Sequence, residues 1–356
     1  MDNLPTLHKP GTSPSGIVKV AALMVIFYIT GLVMIQAREI IVPFLTALTV
    51  WFLVSKVLHW VEDMPPLRRW VPSWLAMLLT MLLILAVISA VGGWIASSLS
   101  GLVPKLPQYQ ANLEDMISRG AAALNVTAPA GLDTLFAKID LTAVGTGLAN
   151  ILANVMSNAS MVLIYALFIF MDQANFGKKI AAMFPEESAR ESVVFSIDKI
   201  SHRIENYLSI KTFTSVLTAS ISYLFMWFIG LDHAPVWALL IFLLNFIPTI
   251  GSIAGVVFPV GMALVQFGDW FQPLVMLVTV GLTQLITSNY MEPKMMGRTM
   301  NLSPTVIIVA MVVFGSMWGV MGMVLSVPML VIAITVLGAF EPTRWLAILL
   351  SEDGTV

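Results

Sequence analysis

The feature that most constrains this chain is a series of apolar runs, each about as long as a membrane-spanning helix. A helix needs about 20 mostly apolar residues to cross the hydrocarbon core of a bilayer. Such runs cover approximately residues 17–35, 40–58, 71–99, 151–171, 210–231, 234–290 and 305–340. The sequence therefore predicts an all-α polytopic membrane protein that resides in the lipid bilayer.

Composition supports this class and excludes several others. Hydrophobic residues make up 58% of the chain and charged residues 11%, whereas soluble proteins carry about 25% charged residues. The 18 basic residues against 20 acidic ones exclude a strongly basic nucleic-acid-binding protein. The absence of cysteine excludes disulfides and thiol chemistry. The four histidines are scattered along the sequence, so we predict no metal site.

Charge bias predicts the orientation. The first run is too long for a signal-peptide core and is followed by no small-residue cleavage site, so we interpret it as a retained span. If the N-terminus is cytoplasmic, all but four of the 18 basic residues lie inside. The four exceptions are Arg38, Lys105, Arg119 and Lys138. The positive-inside rule thus predicts cytoplasmic N- and C-termini, and a bacterial inner membrane is the expected location.

The chain divides at changes in polarity. We assign three N-terminal spans to 1–100, an extracytoplasmic helical cap to 101–150, a fourth span to 151–171, a cytoplasmic amphipathic helix to 172–209, a transport core to 210–344 and a cytoplasmic tail to 345–356. In the amphipathic segment, apolar residues recur at helical spacing, at Val193, Ile197, Ile200, Ile204 and Tyr207.

Two apolar segments of the core are interrupted by proline or glycine. Proline removes a helix donor and glycine tolerates positive φ, so a helix should break at Pro248 and Gly251. We predict helical hairpins at about 235–267 and 305–340, the second broken near Gly319 and Gly322. Hairpins that enter from opposite sides are typical of transporter cores.

Uncharged polar residues enter the apolar core near the first break. A buried amide or hydroxyl needs a partner or a wet cavity, so a solute site and plain interhelical hydrogen bonding are both open interpretations. We predict that the substrate-binding residues are Asn245, Pro248, Thr249, Gly251, Ser252, Gln284, Ser288 and Asn289.

Two charged residues follow these polar positions. Glu292 and Arg298 could form an ion pair that gates the inner end of the pathway. Alternatively, Glu292 is solvated at the surface and Arg298 anchors to lipid phosphate. No hydrolase elbow, phosphate-binding loop or dinucleotide-binding fingerprint is present, so we predict no catalytic residues, no cofactor and no enzyme activity.

Several segments resemble the autoinducer-2 exporter family of bacterial membrane proteins. The most specific are Leu244-Asn-Phe-Ile-Pro-Thr-Ile-Gly-Ser252, Asn289-Tyr-Met-Glu-Pro-Lys-Met-Met-Gly-Arg298 and Gly319-Val-Met-Gly-Met-Val-Leu-Ser-Val-Pro328. The resemblance implies an inner-membrane transporter with about eight membrane segments that assembles as a homo-oligomer, with a pentamer as the expected form. The chain departs from the family at Ser55-Lys56 and at Phe314-Gly-Ser-Met-Trp318.

Three functions follow as hypotheses. The first is a secondary transporter that exports a small polar solute, with the quorum-sensing signal autoinducer-2 as the expected substrate. The second is a sodium(lithium)/proton antiporter, which other family members resemble; it requires a membrane-buried carboxylate, and the candidate acids lie near span ends. The third is a non-transporting oligomeric scaffold that binds envelope proteins through the cap.

Overall fold

A computed structural model describes residues 16–62, 103–123, 141–297 and 300–355, with scattered residues between 82 and 101. These described parts of the chain are helical and contain no strand. Their main helices are α1 (Gly16–Gln36), α2 (Arg38–Glu62), α3 (Leu106–Ala123), α4 (Leu141–Met183), α5 (Glu187–Ile229), α6 (Ala234–Leu244), α7 (Ile250–Phe267), α8 (Phe271–Ile286), α9 (Glu292–Met296), α10 (Pro304–Trp318), α11 (Val320–Ala339) and α12 (Arg344–Leu350).

Five of these helices are long and apolar enough to cross a membrane, in α2, α5, α7, α8–α9 and α11. A sixth candidate lies in α4, which bends by 65° between Ala159–Gln173 and Asn175–Met183. The prediction of an all-α polytopic membrane protein is confirmed. The count of about eight segments stays a prediction, and most of the span predicted at 71–99 lies outside the described residues.

The first hairpin consists of α6 and α7, joined by the break at 245–249. Thr249 adopts a positive φ of 59° at this break. A Cβ on Gly251 would lie 1.7 Å from the carbonyl oxygen of Leu244, so the two arms meet at a distance that glycine alone permits. The predicted hairpin at about 235–267 is therefore present, and glycine closes its tip.

The second hairpin, α10 with α11, is built in the same way. Gly319 forms the turn with a φ of 67°. A Cβ on Gly322 would lie 1.9 Å from the carbonyl oxygen of Phe314. At the tip, the Trp318 indole donates a 3.0 Å hydrogen bond to the carbonyl of Met34, near the end of α1. That carbonyl is among the last four of its helix, which have no partner within a helix.

Two long helices cross boundaries that the polarity pattern suggests. α5 joins the amphipathic segment to the following span without a break, because no proline or glycine occurs between Glu187 and Ile229. α4 likewise runs from inside the predicted cap through the fourth span to Met183. Ile204 and Tyr207 of the amphipathic repeat are buried. This face of α5 packs on the protein itself.

α5 is the common support of both hairpins. Toward its C-terminal end it packs with the first hairpin and α8, in an apolar cluster that includes Met226, Ile241 and Met276. In its middle it packs with α2 and the second hairpin, in a cluster that includes Tyr207 and Val331. The stretch of α5 between these clusters faces α8 and carries the polar residues described next.

Candidate functional site

Asn245 and Gln284 are brought together by the first hairpin. Both are buried, and the Gln284 side-chain amide donates a 3.0 Å hydrogen bond to Oδ1 of Asn245. A Cβ on Gly255 would lie 2.9 Å from that same amide nitrogen. The absence of a side chain at Gly255 therefore lets the Gln284 amide reach the hairpin tip.

The other predicted substrate-binding residues lie at varied depth. Gly251 is buried, whereas Pro248, Ser252 and Ser288 are half-buried, and Thr249 and Asn289 are exposed. The Ser252 hydroxyl donates to the carbonyl of Thr249 at 2.9 Å. The Asn289 amide donates to the carbonyl of Leu285 at 3.2 Å. Asn245 and Gln284 thus meet in the interior, while Thr249 and Asn289 face away from it.

The helix break itself supplies less polarity than the sequence suggests. A broken helix can leave backbone groups free, but here the amides of Asn245, Ile247 and Gly251 donate to the carbonyls of Ile241, Leu244 and Ile247, respectively. Short local turns satisfy these donors. The polar character of the tip therefore comes mainly from side chains.

α5 carries a buried polar stripe that sequence reasoning missed. Thr214, Ser215, Thr218 and Ser222 are fully buried and recur at helical spacing. Thr283 and Gln284 of α8 are also buried, as is Thr287, which follows α8 directly. The two helices are antiparallel, held together by a Thr214–Glu292 hydrogen bond of 3.1 Å at one end and by the Met226–Met276 cluster at the other. We call these residues and Asn245 the polar seam.

Three polar atoms in the seam have no hydrogen-bond partner in the protein. They are Oγ of Ser215, Oγ of Ser222 and Oε1 of Gln284. The hydroxyls of Thr218, Thr283 and Thr287 instead donate to carbonyls one turn earlier in their own helices. An unsatisfied buried polar atom costs about 1–3 kcal/mol. The seam therefore presents neutral groups that a polar molecule could satisfy.

Glu292 forms a buried ion pair at one end of the seam. The Lys211 ammonium donates to both carboxylate oxygens of Glu292, at 2.8 and 2.7 Å. Thr214 adds a third hydrogen bond to the same carboxylate. Glu292 is thus not solvated at the surface, contrary to the simpler alternative for this residue. Its predicted partner Arg298 lies outside the described residues.

A π-helical turn precedes this carboxylate. Residues Thr287–Met291 form the turn, and the backbone amide of Glu292 donates to the carbonyl of Thr287, five residues earlier. Pro293 follows, so no amide hydrogen is available at the next position. Such turns are rare in proteins, and those that occur are often found at functional sites. Nothing in the sequence other than Pro293 indicates this irregularity.

A second polar network joins α3 to the other end of the first hairpin. Asp232 accepts hydrogen bonds from Lys105 at 2.6 Å and from Tyr109 at 2.7 Å. The Asn112 amide donates to the carbonyl of Gln266 at 2.8 Å, and Gln266 accepts from the backbone amide of Asp232 at 2.6 Å. We call these contacts the outer-turn network. They tie the α5–α6 turn and the C-terminal end of α7 to α3.

Electrostatics in this network favour an ionised Asp232. Burial alone would raise the pKa of Asp232, but the hydrogen bonds from Lys105 and Tyr109 outweigh it, and the net pKa is lowered. Burial and the bond to Asp232 raise the pKa of Tyr109. Burial lowers the pKa of His233, although the nearby Asp232 opposes that change. The carboxylate is therefore the stable acceptor of the network near neutral pH.

Within the described residues, no three histidine or acidic side chains are grouped so as to hold a metal ion. The chain is a multi-pass helical membrane protein with two glycine-closed hairpins and a polar interior, an architecture typical of secondary transporters.

Comparison with known proteins defines the family. The family model described as AI-2E family transporter matches residues 19–341. The chain belongs to this family of transporters, as the motifs around Pro248 and Glu292 indicate. It is 30% identical over 328 residues to the AI-2 transport protein TqsA of Escherichia coli (strain K12), which covers 89% of this chain and 90% of that protein. It is also 28% identical over 234 residues to a sodium-lithium/proton antiporter of Halobacillus andaensis, covering 65% and 64%.

Proposed function

We propose that the protein is a secondary transporter that exports a small polar solute across the bacterial inner membrane, with autoinducer-2 as the first candidate. The observation that carries the proposal is the polar seam, in which eight buried neutral side chains lie inside an apolar bundle. The name of the Escherichia coli relative supports this choice of substrate.

In this proposal the solute forms hydrogen bonds with the seam atoms that have no partner in the protein. Oε1 of Gln284 and the hydroxyls of Ser215 and Ser222 are available to it. The Asn245–Gln284 bond connects the hairpin tip to α8, so a solute that competes for either amide would break this contact at the tip. The seam residues carry no charge, which suits a neutral solute better than an ion.

The two ends of the seam are closed by charged contacts. In the orientation that we propose, with both termini cytoplasmic, Lys211 and Glu292 close the cytoplasmic end. The outer-turn network around Asp232 then lies on the outer side, together with α3. The described conformation corresponds to a closed state in this scheme. A homo-oligomer, with a pentamer as the expected form, completes the proposal.

Sodium(lithium)/proton antiport is the second candidate, and one observation favours it. The sequence offered no carboxylate away from span ends, yet Glu292 is buried and paired with Lys211. A buried carboxylate within a membrane bundle is a candidate site for ions or protons. A scaffold role remains the third hypothesis. It leaves the unsatisfied atoms of the seam without a function.

Flux from proteoliposomes separates these candidates. One set of vesicles is loaded with labelled autoinducer-2, and a second set carries a pH-sensitive dye and an imposed sodium gradient. Efflux of the label in the first set supports the leading proposal, and a sodium-driven pH change in the second supports antiport. Absence of both in correctly assembled protein supports the scaffold.

A matched pair of variants shows whether flux passes through the seam. Gln284→Met removes the buried amide while keeping a similar side-chain length, and should lower flux at least about tenfold, since buried polar partners are left unpaired. Gln110→Met makes the same change at an exposed position of α3 and should leave flux unchanged. Equal flux in the two variants would place the pathway elsewhere.

A further inference from the structure

The ion pair between Lys211 and Glu292 is an unusual feature for a membrane bundle. Both side chains are buried, and the ammonium bonds to both carboxylate oxygens. Removing two charges from water is expensive, and such a pair does not in general stabilise a protein more than apolar residues would. Charged residues within membrane segments are functional candidates for this reason.

The titratable groups around Glu292 come from α5. The π-helical turn and α9 pack against α5 and α8. α5 contributes Lys211 and the buried Tyr207, whose phenol interacts electrostatically with Glu292. α8 has no titratable side chain between Phe271 and Ile286. Tyr290 and Lys294 flank Glu292 in the sequence, but both are exposed and lie 3.5 Å from each other.

We propose that Glu292 is the proton-coupling carboxylate and that Lys211 keeps its end of the seam closed while Glu292 is ionised. This inference rests on the proposed transport function. A proton that reaches the carboxylate binds one of its oxygens and neutralises it, so the ammonium loses the charge that holds it. Lys211 keeps its own proton and becomes hydrated as this end opens. When the proton leaves, the pair forms again.

The local backbone supports movement at this carboxylate. The π-helical turn Thr287–Met291 places one extra residue in the helix immediately before Glu292. A change from π to α geometry in this turn would shift the following residues by one position relative to α5. Glu292 can therefore separate from Lys211 and Thr214 without unfolding of α8.

Accessibility of a buried thiol tests the opening step without knowledge of the solute. The native chain has no cysteine, so Ser215→Cys introduces a single, nearly isosteric thiol. Ser215 is fully buried one helical turn beyond Lys211. Its rate of modification by a small maleimide is measured in the purified full-length protein from pH 5 to 9. Rates are compared with those of Glu292→Gln in the same background at the same pH, because the chemistry of the thiol itself changes with pH.

We expect the ratio of the two modification rates, Glu292→Gln over parent, to fall as the pH is lowered. At pH 8 the parent should react at least about tenfold more slowly than Glu292→Gln, and the two rates should converge at low pH, because Gln resembles a protonated carboxyl. Glu292→Asp keeps a titratable group and should retain the pH dependence. Lys294→Gln removes an exposed charge at the same end and should behave like the parent.

Two outcomes would overturn the proposal. One is equal reactivity of the parent and Glu292→Gln at every pH, and the other is a flat profile in Glu292→Asp. If Glu292→Gln does not fold, Lys211→Met combined with Glu292→Met replaces the pair with apolar side chains and serves as the pH-independent reference. Flux measurements distinguish this proposal from the proposed transport function. If the thiol opens with pH but no flux is found, transport is contradicted and the opening step is not. If flux is found but the modification rate of the thiol does not depend on pH, the coupling role of Glu292 is contradicted.

Discussion

The two hairpins are closed by the same device but are embedded in different surroundings. In each, a glycine near the turn faces a backbone carbonyl of the opposite arm, Leu244 for Gly251 and Phe314 for Gly322. The first hairpin buries four residues on each of its arms, and the second buries three on α10 and nine on α11. The second hairpin packs in an apolar cluster with α2 and α5. The first packs in the apolar cluster around Met226 and Ile241, and in addition it is held by the Asn245–Gln284 bond and by the outer-turn network.

This difference indicates a division of roles. Apolar packing over a large area is difficult to rearrange, because every contact must be lost before new ones form. Hydrogen bonds can be exchanged one for one with a solute or with water. We therefore infer that the first hairpin, which has these exchangeable polar contacts in addition to its apolar packing, is the one that moves during transport.

The largest expected effect comes from disrupting the glycine contact that closes both hairpins. Gly251→Ala and Gly322→Ala each place a methyl group against backbone, so both should destabilise the protein by about 3 kcal/mol or more. Loss of monodisperse protein on size-exclusion chromatography and a lowered melting temperature check this. Gly261→Ala in α7, where a Cβ meets nothing within 4 Å, is the control. Normal assembly of Gly251→Ala would show that the first tip can relax.

The next prediction separates the hairpins by function. Asn245→Leu should abolish most transport while assembly remains nearly intact, because leucine is compatible with the apolar bundle. Trp318→Phe removes the indole bond to Met34 at the second tip and should cost about 1 kcal/mol of stability, with unchanged transport per folded molecule. Flux and thermal unfolding measured on the same preparations check both variants. The reverse pattern would assign movement to the second hairpin.

Much of the architecture was predictable because its causes are local in the sequence. Apolar run length predicts the spans, and Pro248 and Gly319 predict the breaks. α5 runs through the domain boundary that we drew at residue 209, because polarity changes there although no residue ends the helix. The stripe at Thr214, Ser215, Thr218 and Ser222 was visible as a repeat every three or four residues, but serine and threonine on a span are commonly bonded to their own backbone.

The partner of Glu292 was not predictable in the same way. Proximity in sequence suggested Arg298, six residues away; Arg298 lies outside the described residues, so that pair stays a prediction, and the partner that the structure shows is Lys211, 81 residues away. Such a contact depends on how α5 and α8 pack. Lys211 was already explained as one of the basic residues that mark the cytoplasmic end of a span. A buried cation at the start of an apolar run could have been matched with the acid at the end of another.

A smaller effect is expected where a glycine controls the seam. Gly255→Ala places a Cβ against the side-chain amide of Gln284, which must move by several tenths of an ångström. The Asn245–Gln284 bond should weaken by about 1 kcal/mol, which corresponds to a flux reduced about fivefold. Gly281→Ala on α8 meets nothing within 4 Å and serves as the control. If Gly255→Ala and Gly281→Ala give equal flux, the Gln284 amide does not limit transport.

The smallest effect concerns the contact between α3 and the first hairpin. The pKa of Asp232 is lowered in the folded protein, so its contribution to stability is present above the ordinary aspartate pKa of about 3.9 and is lost as the pH falls through the lower folded value. Asp232→Asn should remove that contribution at neutral pH, by at most about 1 kcal/mol because the Lys105 pair is partly exposed. Hydrogen–deuterium exchange of residues 106–123 should then be up to about fivefold faster at pH 7, and the variant and the parent should converge as the pH falls below the lowered pKa of Asp232. Glu114→Gln, on the exposed face of α3, controls for the lost charge. A difference between parent and Asp232→Asn that stays the same at every acidic pH at which the protein remains folded would mean that the carboxylate charge does not hold α3 on the hairpin.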